Sequence, residues 1–137
     1  MLKLGKVDFF GEDARFHHVG MVVRSIASIQ PDLEIIFDPV QIVNVAFITM
    51  NGLTVELLEP ASKDSPVGNS LAKGIKLAHI CYEVADVEDA LRRCREFGFF
   101  CIRKPVNAVA FNREIAWVFS REYGLVELLA KQGEADV

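Results

Sequence analysis

The stretch TVELL at residues 54–58 recurs as LVELL at residues 125–129. Each copy follows another apolar stretch, VAFI at residues 45–48 in the first half and IAWVF at residues 115–119 in the second. Short apolar runs that are rich in β-branched and aromatic residues and bounded by turn residues are typical of β-strands. The Asn-Gly dipeptide at residues 51–52 is a strong hairpin signal. The repeat therefore predicts a pair of adjacent strands late in each half of the chain.

A histidine-bearing apolar stretch opens each half: FHHVGMVV at residues 16–23 and LAHICYEV at residues 77–84. Each half thus has an early strand that carries histidine and a late strand that carries glutamate, which is repetition at the scale of a folding module. The length fits one domain. We therefore expect residues 1–137 to form a single domain of two modules, the first at about residues 15–60 and the second at about residues 75–130.

One clear helix pattern lies in the second half. Asp86 is placed to cap the N-terminus, and Gly98 is placed to end the helix in a left-handed conformation. Between them runs an apolar stripe at helical spacing: Val87, Ala90, Leu91, Cys94 and Phe97. In the first half, only residues 25–30 could form about two turns before Pro31 stops them. The duplication is therefore asymmetric, with a short first crossover.

The segments outside the modules are expected to be less regular. Residues 60–74 form the predicted linker, with a short helix at residues 65–72. Residues 1–14 and residues 131–137 are expected to be peripheral.

The composition narrows the class of protein. The 137 residues are 51% hydrophobic and 25% charged, with a net charge of −4, which argues against long disorder and against nucleic acid as the main partner. The longest apolar runs are too short to span a membrane, and the first residues lack the apolar core of a signal peptide. The three cysteines have irregular spacing and no CxxC motif, which favours reduced, mostly buried thiols in a cytoplasmic protein.

Four polar residues occupy matching places in the two halves: His18 and Glu56, then His79 and Glu127. Burying an ionised carboxylate without a partner costs several kcal/mol, so each glutamate in its apolar strand needs either solvent or a compensating cation. Side-chain alternation allows each strand to face the core with apolar residues and a cavity with its glutamate. Two imidazoles and two carboxylates suit Co²⁺, Ni²⁺, Mn²⁺, Fe²⁺ or Zn²⁺. The alternative is that both histidines are ordinary hydrogen-bonded strand residues and both glutamates face solvent.

Four fragments, in this order, resemble the vicinal oxygen chelate superfamily of glyoxalase, bleomycin resistance and dioxygenase proteins. Within the superfamily they are most similar to methylmalonyl-CoA epimerase. The resemblance covers roughly residues 15–130. Its fragments are HHVGMVV at residues 17–23, VELLEP at 55–60 with DSPV at 64–67 and Leu71, HICYEV at 79–84 with DVEDAL at 86–91, and LVELL at 125–129.

The resemblance implies an α+β fold in which paired βαβββ modules form a curved sheet around a metal cavity, here with a shortened helix in the first module. It implies one divalent metal ion (Co, Ni, Mn, Fe or Zn) held by His18, Glu56, His79 and Glu127. It further implies an isomerase (epimerase) or a lyase of the glyoxalase type. Such an enzyme removes a proton next to the carbonyl of a small carbonyl or acyl-thioester substrate through a metal-stabilised enolate. Small members of the superfamily commonly dimerise, so a homodimer is expected.

Two departures from the family pattern keep another function open. Residues 44–46 carry no extra carboxylate base, so Glu56 or Glu127 would serve as both metal ligand and catalytic acid/base group. Asp38, the nearest upstream carboxylate, is expected to form a turn before Pro39. The first helix also lacks the family's tyrosine and Leu-Gly-Phe ending. These departures favour, as the alternative, a non-catalytic protein that sequesters a small molecule on the same scaffold.

Three smaller expectations complete the prediction. A redox-active iron dioxygenase is a third possibility, but such enzymes use two histidines and one carboxylate, and a fourth ligand at Glu56 argues against it. His18 matches the family's ligand position better than His17, which is expected at the surface or behind the ligand. Arg113 is expected at the surface, although its guanidinium could meet a carboxylate or a phosphate.

Overall fold

Eight strands form one curled sheet in the computed structural model, which describes residues 2–132. Residue 1 and residues 133–137, parts of the expected peripheral termini, lie outside the described residues. The strands are β1 (Arg15–Val22), β2 (Ile36–Asp38), β3 (Val43–Met50), β4 (Leu53–Pro60), β5 (Leu77–Val84), β6 (Phe100–Ala108), β7 (Arg113–Ser120) and β8 (Gly124–Ala130). The helices of the described part are α1 (Ile26–Ile29), α2 (Val67–Ala72) and α3 (Val87–Arg95).

The order of strands across the sheet is β2-β3-β4-β1-β5-β8-β7-β6. The first four in this order come from the first half of the chain, and the last four come from the second half. Strand β1 runs parallel to β4, strand β5 runs parallel to β8, and the antiparallel pair of β1 and β5 joins the two halves. Each half follows the sequence strand, helix, strand, strand, strand. The predicted α+β fold of paired βαβββ modules is confirmed.

The first crossover is short, as predicted. Helix α1 has four residues, and Ser25 Oγ accepts a hydrogen bond from Ser28 N (3.2 Å) at its N-terminus. Pro31 follows directly, and its fixed ring prevents the helix from continuing. Glu59 Oε1, near the end of β4, accepts a hydrogen bond from Ile26 N (3.0 Å). This long-range bond fastens the short helix to the sheet.

Helix α3 begins after Asp86, whose side chain accepts a hydrogen bond from Asp89 N (3.1 Å), as predicted. Its buried residues are members of the predicted stripe: Val87, Ala90, Leu91 and Cys94. Phe97, which the prediction placed on the same stripe, lies beyond the end of the helix and is 47% exposed. Gly98 follows with a φ of +89°, the left-handed conformation predicted for it.

The predictions of a short linker helix and of reduced, mostly buried thiols also agree with the structure. Helix α2 lies within the residues predicted for a short linker helix. The three cysteines are free thiols, with Cys81 and Cys94 buried and Cys101 exposed. Within the described residues, no helix is long and apolar enough to cross a membrane.

The prediction that residues 1–14 are all peripheral is wrong at Phe10. This side chain is only 8% exposed, and its ring centroid lies 5.3 Å from that of Tyr82 and 5.2 Å from that of Phe99. Phe9 packs beside it, with its ring centroid 5.4 Å from that of Phe99. Aromatic side chains bury a large apolar area when they pack against one another. The segment before β1 therefore completes the core of the second half.

We predict that Phe10→Ala lowers the free energy of unfolding by about 3–5 kcal/mol, because it removes a buried ring and leaves a cavity among aromatic neighbours. Chemical denaturation of the purified variant measures the loss. Leu4→Ala is the matched control, since Leu4 lies in the same segment but is 84% exposed. If the two variants lost equal stability, the N-terminal segment would not be part of the core.

Candidate functional site

Four side chains from the four central strands converge within one small volume. Strands β1, β4, β5 and β8 contribute His18, Glu56, His79 and Glu127 respectively. Nε2 of His18 lies 3.4 Å from Glu56 Oε1 and 3.2 Å from Glu127 Oε1. Nε2 of His79 lies 3.3 Å and 3.4 Å from the same two oxygens, and the two Nε2 atoms are 3.3 Å apart. The structure thus brings together all four residues selected from the sequence.

The same strand register builds each half of this site. In the parallel pair of β1 and β4, Glu56 lies level with Gly20, which follows His18 by two residues. In the parallel pair of β5 and β8, Glu127 lies level with Cys81, which again follows the histidine by two residues. Because side chains two residues apart share a face of the sheet, each glutamate lies on the same face as its histidine.

The four side chains are nearly excluded from solvent, with exposed fractions of 0% for His18 and at most 5% for the others. Burial alone would lower the pKa of His79, but its contacts with Glu127 and Glu56 outweigh burial and raise the pKa to about 9. Burial alone would raise the pKa of Glu127, but its contacts with both histidines lower the pKa to about 2. Contacts with the oppositely charged partners also outweigh burial at the other two residues, so the pKa of His18 is raised and the pKa of Glu56 is lowered. These contacts favour the charged form of each group, so the carboxylates and the imidazoles stabilise one another.

The arrangement also suits a divalent cation. Two ligands that each lie about 2.1 Å from one ion stand roughly 3.0–3.4 Å apart, and the four nitrogen–oxygen separations here are 3.2–3.4 Å. Glu127 Oε1 is buried and has no aligned hydrogen-bond donor, although His18 Nε2 is near. A bound cation would satisfy this buried acceptor. The two nitrogens and two carboxylate oxygens could hold one such ion.

A cavity of about 410 Å³ opens onto three of the four residues: Glu56, His79 and Glu127. Both halves of the chain and the linker between them contribute its walls. The walls are largely apolar and include Val43, Val45, Leu58, Leu77, Ile102 and Leu125. Polar groups are fewer and include Asp38, Gln41, Ser70 and Arg103. Such an apolar cavity with a few charged groups at one place is typical of a small-molecule site.

Aromatic rings surround the two histidines. The Phe111 ring stacks on His18 with 5.6 Å between centroids, and Phe47 meets His18 edge-on at 5.8 Å. Trp117 stands perpendicular to His79 at 4.8 Å. These rings limit the movement of both imidazoles and keep the surroundings of the charged groups apolar, which strengthens electrostatic interactions there.

Asp38 has the turn role that the sequence predicts. Its Oδ1 accepts hydrogen bonds from Val40 N (2.9 Å) and Gln41 N (3.2 Å), and its Oδ2 accepts one from Gln41 Nε2 (3.0 Å). The sequence did not indicate that this carboxylate is buried and lines the cavity.

Arg113 is not the surface residue expected from the sequence. Its Nη1 donates to Glu83 Oε2 (2.8 Å) and to the carbonyl oxygen of Ala130 (3.1 Å), and the side chain is 14% exposed. The carboxylate that it meets belongs to the same chain, because β5 and β7 both flank β8 and so bring the two side chains to one place. His17 lies behind His18, half-buried, with the two Nδ1 atoms 2.8 Å apart.

Gly20 belongs to the site although it has no side chain, and sequence reasoning missed this role. A Cβ at this position would lie 2.1 Å from Cε1 and 2.7 Å from Nε2 of His79. The His79 ring therefore occupies the space above Gly20, its neighbour across the β1–β5 pair. The sequence did carry a signal for this role. Gly20 lies two residues after His18 in β1, so it is on the same face of the sheet as the site.

We predict that Gly20→Ala lowers the free energy of unfolding by about 1–3 kcal/mol, because the added methyl overpacks the site and displaces His79. The pKa of His79 falls from about 9 towards its ordinary value as its contacts with the carboxylates lengthen. Denaturation and an NMR titration of His79 measure both effects. Gly68→Ala is the control, since a Cβ there meets nothing within 4 Å. An unchanged His79 pKa in Gly20→Ala would contradict this account.

The charges also predict how the stability of chelator-treated protein depends on pH. The contribution of His79 is complete below its ordinary pKa of 6.5 and disappears as the pH rises through about 9. The contribution of Glu127 is complete above its ordinary pKa of 4.5 and disappears as the pH falls through about 2. Urea denaturation should therefore show lower stability at about pH 9 than at about pH 6. Replacing His79 by glutamine should flatten this decline, and an equal decline in that variant would refute the assignment.

Sequence comparison finds epimerases among curated relatives. The chain is 41% identical over 58 residues to ethylmalonyl-CoA/methylmalonyl-CoA epimerase of Cereibacter sphaeroides, which covers 41% of this chain and 43% of that protein. It is 28% identical over 90 residues to the mitochondrial methylmalonyl-CoA epimerase of Homo sapiens, which covers 63% of this chain and 51% of that protein. The matched segments thus span about half the length of these curated relatives.

Structural comparison finds the same fold in a solved epimerase. The crystal structure of methylmalonyl-CoA epimerase from Mycobacterium tuberculosis superposes with a TM-score of 0.70, covering 88% of this chain and 89% of that chain at 18% identity. A family model described as the Glyoxalase/Bleomycin resistance protein/Dioxygenase superfamily matches residues 17–117, which include three of the four converging side chains. The duplicated fold and this match agree with the resemblance seen in the sequence, and the chain belongs to the glyoxalase/bleomycin resistance/dioxygenase superfamily.

Proposed function

We propose that this chain is a divalent-metal-dependent epimerase. It removes a proton from the carbon next to the carbonyl of an acyl-CoA thioester and returns a proton to the opposite face. The curated relatives are named for ethylmalonyl-CoA and methylmalonyl-CoA, which supports a substrate of this class. The observation that carries the proposal is the convergence of two imidazoles and two carboxylates beside a largely apolar cavity.

His18, Glu56, His79 and Glu127 are the ligands that we assign to one Co, Ni, Mn, Fe or Zn ion. When bound, such a cation supplies positive charge that stabilises negative charge developing on a substrate oxygen. The register of the central strands holds the four side chains in position before any substrate arrives. The site therefore needs little reorganisation at the moment of reaction, which favours catalysis.

Glu56 and Glu127 are also the acid/base groups that we assign. An epimerase benefits from one proton-transferring group on each face of the reacting carbon. The two glutamates come from β4 and β8, which lie on opposite sides of the histidine-bearing strands, and both line the cavity. Their Oε1 atoms face the imidazoles. We therefore assign proton transfer to the second oxygen, Oε2, of each carboxylate.

One observation favours the alternative, a non-catalytic protein that sequesters a small molecule in the same cavity. Asp38, the further carboxylate among the cavity residues, accepts three hydrogen bonds from its own turn. Both of its carboxylate oxygens are thus engaged within that turn. Asp38 is therefore unsuited to replace the base that is missing from residues 44–46.

We also propose that the chain works as a cytoplasmic homodimer. The three free thiols suit a reducing compartment. Both outer strands of the sheet carry exposed apolar side chains, with Phe37 on β2 and Phe100 and Ile102 on β6. Exposed apolar groups along unpaired strands are typical of surfaces that bind another chain.

The proposed reaction predicts exchange of one hydrogen of methylmalonyl-CoA, the one on the carbon between the thioester carbonyl and the carboxylate. In D₂O, metal-loaded protein should incorporate deuterium there well above the background rate, as measured by NMR or mass spectrometry. Glu127→Gln and Glu56→Gln should each slow the exchange by about 10²–10⁴-fold, because each removes a proton-transferring group. Glu114→Gln is the matched control, since Glu114 is an exposed strand glutamate away from the cavity.

Two outcomes would contradict parts of the proposal. Tight binding of methylmalonyl-CoA with exchange at background would favour the sequestering protein. Metal analysis of protein purified without chelator tests the ligand set separately, and we expect His18→Ala to lose the bound metal. If neither the wild type nor the variant held metal, the metal dependence would be wrong, whatever the exchange result.

A further inference from the structure

Two adjacent histidines lie on the same side of β1, which a regular strand does not allow. Successive side chains of a strand point to opposite faces. Here the pairing with β5 passes from Phe16 opposite Tyr82 to His18 opposite Cys81, so that His17 is an extra residue in β1. Such a β-bulge changes the direction of a side chain. It brings Nδ1 of His17 to 2.8 Å from Nδ1 of His18.

The distance of 2.8 Å requires a proton between the two nitrogens, because two lone pairs would repel each other at hydrogen-bond distance. If the proton belongs to Nδ1 of His18, then Nε2 of a neutral His18 carries a lone pair directed at the site. If it belongs to Nδ1 of His17, then Nε2 of a neutral His18 carries a hydrogen and cannot act as a ligand. The position of one proton therefore decides whether His18 can bind a cation.

We propose that His17 is a positioning residue, which accepts a hydrogen bond from Nδ1–H of His18 and so presents Nε2 of His18 to the metal site. This inference rests on the proposed function, in which His18 is a metal ligand. Ligand histidines commonly donate their second N–H to a neighbouring acceptor, and that bond sets the orientation of the ring. A neighbouring imidazole supplied by a bulge performs this task here.

Phe111 supports the same arrangement. Its ring stacks on His18 at 5.6 Å with an interplanar angle of 29° and meets His17 edge-on at 5.6 Å with an angle of 89°. The planes of the two imidazoles are themselves almost perpendicular, at 78°. One aromatic side chain thus contacts both rings, which restricts the rotation that would separate their Nδ1 atoms.

A second metal ion between His17, His18 and the nearby Cys81 does not explain the geometry as well. These three residues also have possible ligand atoms within 4.8 Å of one another. Two ligands of one ion, however, stand roughly 3.0–3.4 Å apart. The separation of 2.8 Å between the Nδ1 atoms is shorter and matches a hydrogen bond.

The affinity for Zn²⁺ and Co²⁺, measured by competition with a chelator, tests the inference. We expect His17→Ala to weaken binding by about 10- to 100-fold, the usual effect of losing the partner of a ligand histidine. His17→Asn should retain most of the affinity, because its Oδ1 can take the place of Nδ1 as the acceptor. Phe16→Ala is the control for loss of a neighbouring side chain on β1 and should leave the affinity unchanged.

NMR locates the proton directly. In ¹⁵N-labelled, Zn²⁺-loaded protein, we expect a proton on Nδ1 of His18 with a scalar coupling across the hydrogen bond to Nδ1 of His17. A proton on Nδ1 of His17, or equal affinities of His17→Ala and the wild type, would overturn the inference while leaving the metal site intact. If the wild type bound neither ion, the proposed metal function would fail. The same NMR measurement on metal-free protein would then test the hydrogen bond by itself. A proton on Nδ1 of His17 would again overturn the inference.

Discussion

Two carboxylates lie in the middle of the sheet with exposed fractions of 5% for Glu56 and 2% for Glu127. Burying such groups costs several kcal/mol unless opposite charge compensates for it. The compensation requires His18 and His79, and each of these residues is at least 23 positions away from either glutamate along the chain. Only the pairing of the four central strands brings them within hydrogen-bond distance. The need to neutralise two buried charges therefore links the fold to its site.

The same pair of imidazoles can meet this need in two chemical states. As imidazoliums they balance the carboxylates with two protons, which explains the raised pKa of His79 and the lowered pKa of Glu127. As neutral ligands they would share one divalent cation of the same total charge. Protons and metal would then compete for one site, and the local charge would remain close to zero in both states.

The duplication is exact in register but unequal in length. Each glutamate lies level with the residue that follows its histidine by two positions. Yet His18 and Glu56 are separated by ten fewer residues than His79 and Glu127. The difference lies mainly in the crossover helix and the strand after it, with four residues in α1 against nine in α3 and three in β2 against nine in β6. The linker residues Pro66 and Val67 help to wall the cavity. The two modules thus contribute equally to the four-residue site and unequally to the walls of the cavity.

The sequence alone determined six of the eight strands, all but β2 and β6, together with the duplicated plan and the choice of the four candidate site residues, because alternation and repetition can be read along a single chain. It also determined the helix cap at Asp86, which depends on neighbouring residues. Only the tertiary structure decided the burial of Phe10, the pairing of Arg113 with Glu83, the contact of Gly20 with His79 and the bulge at His17. Each of these depends on contacts between segments that are distant along the chain. Within paired strands, a shift of register by one residue would turn every side chain to the other face.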